Sequence, residues 1–267
     1  ILLGAFLRVY PVLRSDFPIL DGGLFYVAIQ SLKSNSWSLP HSIPYNALDI
    51  PFVYPPLGLY VTGLFSDLFK VSLLDVIQYL PSIYSILSIF VFYFLAKAIL
   101  GSPGKVALAT AIFALLPRSF IWIILGGGVT RAPGFTFCLL TILNAYHLYF
   151  NNQKKRVTWV IVFASLTILS HPDAALHCVT MVALIWLSAS HRYKNLQSTL
   201  LVGAGVLVLT SPWWGTVLSR YGLAPFLAAS KTSGEFPQGI LQFLFTNFAE
   251  ESFLPVLTIL SFLGIFA

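Results

Sequence analysis

Apolar runs long enough to cross, or nearly cross, a bilayer recur along the whole chain. They fall at 1–13, 75–98, 106–125, 131–150, 157–170, 174–190, 198–214 and 252–267. Only 9% of the 267 residues are charged and 57% are hydrophobic, whereas about a quarter of a soluble domain is charged. Mean hydropathy is +0.85. Short alternating segments separated by turns, the signature of a membrane barrel, are absent. The pattern predicts an all-α polytopic membrane protein.

Ile1 and Ala267 both lie inside apolar runs, and the only methionine is Met181. The expectation is a single transmembrane domain, 1–267, truncated at both ends. The opening run lacks the basic flank and small-residue cleavage site of a signal peptide. Cys138 and Cys178 sit in apolar runs with no metal-like or redox spacing, so they read as buried thiols.

Charge placement gives the topology. The segment Pro55 to Phe69 is apolar enough to be a span, but counting it as one would put Lys154, Lys155 and Arg156 outside. Laid at the interface instead, it lets Lys97, Lys105, Lys154, Lys155, Arg156, Arg192 and Lys194 all face the cytoplasm, as the positive-inside rule requires. All the acids then gather outside: Asp16, Asp21, Asp49, Asp67, Asp75, Asp173, Glu235, Glu250 and Glu251. Trp122, Trp213 and Trp214 mark outer ends, Trp159 and Trp186 inner ends. The net charge of +6 is explained by topology, so nucleic acid is not an expected partner. Two long outer segments result, 14–74 and 215–251, and loops of that length tend to carry function.

The first outer loop holds two motifs. Asp21-Gly22-Gly23-Leu24-Phe25-Tyr26 opens a helix-like run to Leu32. Asp21 there is either a helix cap or a carboxylate held at the membrane surface for chemistry. Tyr54-Pro55-Pro56-Leu57-Gly58 has the form of an extended approach to a helix. Together these motifs resemble the GT-C membrane glycosyltransferases, in the branch of the protein O-mannosyltransferases and the lipid A aminoarabinose transferases. That branch carries an Asp-Glu motif followed by Lys-Pro-Pro-Leu-Gly-Tyr. Here Gly22 follows Asp21, Tyr54 stands in place of the lysine, and the second outer loop, Gly126 to Arg131, has no acid. The resemblance spans roughly residues 1–150. It implies a GT-C-like helical bundle whose large first extracytoplasmic loop contains juxtamembrane helices.

Other candidates follow the chain. Gly126-Gly127-Gly128 lacks a nucleotide-type phosphate motif, but its backbone beside Arg131 at a helix start forms either a tight turn or an anion site. His171-Pro172-Asp173 joins two spans, so Asp173 is either a cap or a second carboxylate. Arg8 and Arg118 are expected near outer helix ends, snorkelling or holding lipid phosphate.

The functional expectation is sugar transfer, with inversion, from a polyprenyl-phosphate donor to an acceptor of undetermined class. The resemblance implies the donor. Nucleotide sugars are cytoplasmic, which also favours a lipid carrier on the outer face. Asp21 is the expected base; Tyr54, Arg131, Arg118, Arg8, His171 and Asp173 are the expected substrate contacts. A divalent ion, Mg or Mn, is considered between Asp21 and Asp173. The expected setting is a prokaryotic plasma membrane, with membrane lipids as partners. Two other classes stay open: a lipid or solute transporter or flippase, and a non-catalytic assembly subunit of the same fold.

Overall fold

The structure is a computed structural model that describes residues 1–18, 21–125, 128–189 and 195–231. It is helical almost throughout, as an all-α membrane protein should be. Residues Ile1–Thr216 form one compact unit. The second unit begins at Val217, and its described part is the end of α10 (Leu196–Tyr221) and α11 (Ala224–Lys231). The expected last span, 252–267, Glu235, Glu250 and Glu251 lie outside the described residues, as do Arg192, Lys194, Gly126 and Gly127.

The first unit starts with α1 (Leu2–Leu13). The loop after it folds into a subdomain of its own: α2 (Gly22–Ser34), a hairpin of β1 (Ser42–Tyr45) and β2 (Leu48–Pro51), and α3 (Leu57–Phe69). The hairpin was not expected. Its turn residues Asn46 and Ala47 have φ of 54° and 59°, the mirror-image turn that matches strand twist. Phe25, Ile29 and Leu32 of α2 pack with Ile43, Phe52 and Leu59 in one core. That core closes over Leu73 and Ile77 of α4 (Leu73–Leu100) and Val129 of α7 (Gly128–Tyr149). The helices α2 and α3 run side by side, with Lys33 Nζ 2.7 Å from Asp67 Oδ1 at their far ends. A 13-residue helix is about 20 Å long, short of the roughly 30 Å hydrocarbon core. Leu64, Leu68 and Phe69 remain exposed on it, which suits the interfacial helix expected from the charges.

Among the described helices, α4 and α10 are each long and apolar enough to cross a membrane. The expected span 106–125 is broken. It consists of α5 (Pro103–Leu115), a turn at Pro117–Ser119 and α6 (Ile121–Ile124), bent by 79°. Pro117 cannot donate to the preceding turn, so the ladder stops there. Arg118 therefore lies exposed on the turn rather than inside a helix. The remaining helices of the unit are α8 (Val157–Ser170) and α9 (Pro172–Ser188), each close to its expected span.

The central element is α7, which packs on α3, α4, α8 and α9. Its small residues set these distances. A Cβ on Gly134 would lie 2.9 Å from His171 Cβ, at the α8–α9 junction. A Cβ on Gly58 of α3 would run into Val129 O and Thr130 Cα of α7. The N-terminal ends of α3, α7 and α9 are thereby drawn to one rim of the bundle.

Candidate functional site

The rim is built from the starts of α2, α3, α7 and α9. Arg131, in the first turn of α7, reaches Asp21 at the start of α2, with Nη2 3.4 Å from Oδ2. Tyr54, just ahead of α3, has its hydroxyl 3.2 Å from Thr130 Oγ1 of α7. The Tyr54 ring stands edge-on to His171 at the start of α9, centroids 6.2 Å apart, and to Phe25 of α2 at 5.7 Å. Each of these helices presents unpaired backbone N–H groups and the positive end of its dipole to the rim. Asp21, Pro56 and His171, the N-caps of α2, α3 and α9, make no side-chain cap bond.

The Asp21 carboxylate does not cap α2; it is half exposed and ion-paired to Arg131. Arg131 in turn donates from Nη1 to Trp122 O at 3.4 Å, and its guanidinium lies 5.2 Å from the Trp122 ring centroid. A guanidinium has five N–H groups, so donors remain for a ligand.

The other polar groups are tuned by burial. Desolvation pushes the Tyr54 phenol up to about 12, so it stays protonated at neutral pH. Thr130 and Arg131 oppose that shift, while Asp173 and Asp21 add to it. His171 is 8% exposed. Burial holds it down to about 4, against the pull of Asp173. It is therefore a neutral imidazole at neutral pH, with one N–H to donate. His177, one turn along α9 from Asp173, also depresses His171 and was missed in sequence because it sits within an apolar helix. Thr130 and Trp122 were missed too: a hydroxyl and an aromatic inside apolar runs carry no sequence signal of a role.

The expected site residues thus divide. Asp21, Tyr54, Arg131, His171 and Asp173 share one electrostatic environment. Arg8 does not belong to it. Arg8 is 0% exposed, and its N–H groups are consumed within the bundle. Nε donates to Ser85 Oγ at 3.1 Å; Nη1 donates to Gly4 O and Ala114 O; Nη2 donates to Phe113 O and Ser119 Oγ. The sequence pointed Arg8 outward to lipid phosphate; the structure uses it to fill the carbonyls that the break after α5 leaves open. Among the described residues no three His, Cys, Asp or Glu side chains come together to hold an ion. The Asp21 carboxylate faces Arg131 instead, so the described donor set does not fit a metal centre.

The helical membrane bundle gathers helix N-termini, an arginine and a carboxylate at one rim, an arrangement that favours anionic ligands. The chain's class is that of an integral membrane transferase. A family model described as dolichyl-phosphate-mannose-protein mannosyltransferase matches residues 53–215, and the chain belongs to that family. It is a family of membrane glycosyltransferases of the GT-C type that use a polyprenyl-phosphate-linked sugar. The matched stretch contains Tyr54, Arg131, His171 and Asp173; Asp21 precedes it. No curated protein and no solved structure matches the chain.

Proposed function

We propose that this protein transfers a sugar from a polyprenyl phosphate to an acceptor hydroxyl on the extracytoplasmic face, inverting the anomeric centre. The observation that carries the reading is the Asp21–Arg131 pair set among the N-termini of α2, α3, α7 and α9. Phosphate is favoured where such termini and an arginine meet. The donor phosphate would lie against Arg131 and the backbone N–H groups of these first turns, with His171 and Tyr54 as neutral donors beside it. Its lipid tail would lie along the apolar helices. Basic loops at the opposite end of the bundle support the extracytoplasmic face, and a prokaryotic plasma membrane is the proposed setting.

The half-exposed Asp21 carboxylate is open to an incoming acceptor. As the acceptor oxygen bonds to the anomeric carbon, its proton passes to Asp21. The bond from that carbon to the phosphate oxygen breaks, and the electron pair leaves with the polyprenyl phosphate. Negative charge grows on the departing phosphate, where Arg131 and the helix dipoles already point. One displacement on the opposite face gives inversion.

The test is release of polyprenyl phosphate from a labelled lipid-linked sugar by the purified chain in a bilayer, with and without envelope acceptor material. Acceptor-dependent release is expected. A transporter would move the intact lipid-linked sugar without release, and a non-catalytic subunit would do neither; either result overturns the proposal.

A further inference from the structure

Away from the rim, α7, α8, α9 and α10 line a half-open cavity of about 300 Å³. Its wall is almost wholly apolar, running from Ala175 to Trp186 along α9 and facing Val160 of α8 and Gly203 of α10. That stretch of α9 is about 16 Å long, close to half of a roughly 30 Å hydrocarbon core. The dimensions are those of one hydrocarbon chain lying in one leaflet.

Toward one end the wall carries Tyr149, Thr199 and Trp186, and Thr141 and Cys178 are its other polar side chains. The Trp186 indole N–H is buried with no acceptor among the described residues. Asn195, four residues before Thr199, is 0% exposed and is not part of the cavity wall. Thr199 links this corner together. Its hydroxyl lies 3.0 Å from Asn195 O and 3.2 Å from Tyr149 Oη, and both Thr199 and Tyr149 line the cavity. In hydrocarbon an unpaired polar group is costly unless something else pairs it. This corner is at the end of the bundle opposite Asp21 and Arg131. It is the end where the turn Lys154–Arg156 joins α7 to α8, with Lys154 and Lys155 exposed.

We propose that this cavity is a binding site for an anionic glycerophospholipid of the leaflet at the basic end. One acyl chain fills the apolar space. An ester carbonyl lies at the Trp186 end, where the Tyr149 hydroxyl, which accepts from Thr199, can donate to it. The headgroup phosphate lies against Lys154 and Lys155, since anionic lipid is drawn to basic side chains at the membrane surface. The head of this lipid points away from the rim, so the site is separate from the donor's and does not depend on the transfer proposal.

The test uses the full chain in zwitterionic phosphatidylcholine bilayers, titrated with phosphatidylglycerol brominated on its acyl chains. Bromine quenches tryptophan on contact, and Trp186→Phe isolates the contribution of that residue. The expected result is saturable quenching of the Trp186 component by brominated phosphatidylglycerol. Gly203→Leu should abolish it, because a Cβ at Gly203 meets nothing within 4 Å and the new side chain would occupy the cavity. Lys154→Gln and Lys155→Gln should each raise the half-saturating lipid fraction roughly fivefold. If brominated phosphatidylcholine quenches Trp186 equally well, the anionic specificity is wrong. If Gly203→Leu folds and quenching is unchanged, or no Trp186 component exists, the cavity does not hold the chain.

Discussion

Two arginines, one in each of two regions of the bundle, show how a membrane protein uses the same cation for opposite ends. Arg8 is sealed among α1, α4 and α5 and spends its donors on carbonyls and hydroxyls, with Phe120 stacked at 4.5 Å. No carboxylate among the described residues is paired with it. Arg131 sits at the rim, pairs with a carboxylate at 3.4 Å and keeps donors to spare. Arg8 repairs the backbone where Pro117 has broken a helix. Arg131 keeps its remaining donors at the rim. The difference lies in what surrounds each cation: a helix C-terminus, whose carbonyls need filling, against a convergence of N-termini, which repel a cation unless a negative group joins them.

That contrast can be broken by substitution. The largest effect is expected at the rim. Arg131→Gln should lower transfer by about two to three orders of magnitude, the usual loss when one donor to developing charge is removed, while the folded protein persists. Arg8→Met should reverse the pattern. It leaves buried carbonyls without partners, for a loss of about 3 kcal/mol in stability, with near-normal turnover per folded molecule. Thermal unfolding in detergent alongside transfer assays would check both. If Arg8→Met cuts turnover while stability holds, the division between the two arginines is wrong.

His171 gives the comparison a pH axis. Its folded value, about 4, lies below the ordinary 6.5 because of burial. Between those values the unfolded chain takes up a proton that the folded chain does not. Its stabilising effect is therefore complete above pH 6.5 and is lost as pH falls toward 4, by at most about 3 kcal/mol. His171→Gln should flatten that part of a stability–pH curve; parallel curves for the two proteins would contradict the assignment. The smallest effect is expected at Tyr54. Tyr54→Phe keeps the ring contacts to Phe25 and His171 and removes only the hydroxyl bond to Thr130. A change of about 1 kcal/mol, seen as a several-fold drop in transfer, should follow, and a loss as deep as that of Arg131→Gln would mean that the phenol has a larger role.

What the sequence made legible follows from what leaves a periodic or charged trace. Hydropathy located α4, α7, α8 and α9 within a few residues, because lipid forces long apolar segments. The basic loops showed that Pro55–Phe69 need not span, and α3 is indeed a short helix. Pro117 was visible, but a proline inside an apolar run does not announce a bend of 79°; that depended on Arg8 being present to fill the carbonyls. The hairpin escaped because Asn46-Ala47 is a weak turn signal compared with Asn-Gly. At the site, carboxylates and arginines stand out in so apolar a chain, so Asp21, Arg131 and Asp173 could be singled out. Their partnerships could not. Which arginine faces Asp21 depends on Gly58 and Gly134 letting α3 and α9 approach α7, a packing fact with no local signature.

The central claim is that Asp21 takes the acceptor's proton while Arg131 and the helix N-termini hold the donor phosphate. Single-turnover transfer from a bound lipid-linked sugar by Asp21→Asn tests it most directly, with donor binding measured on the same sample. Transfer should fall by about two to four orders of magnitude with donor affinity within a few-fold of the parent. Transfer at the parent rate would remove Asp21 from the chemistry and contradict the account.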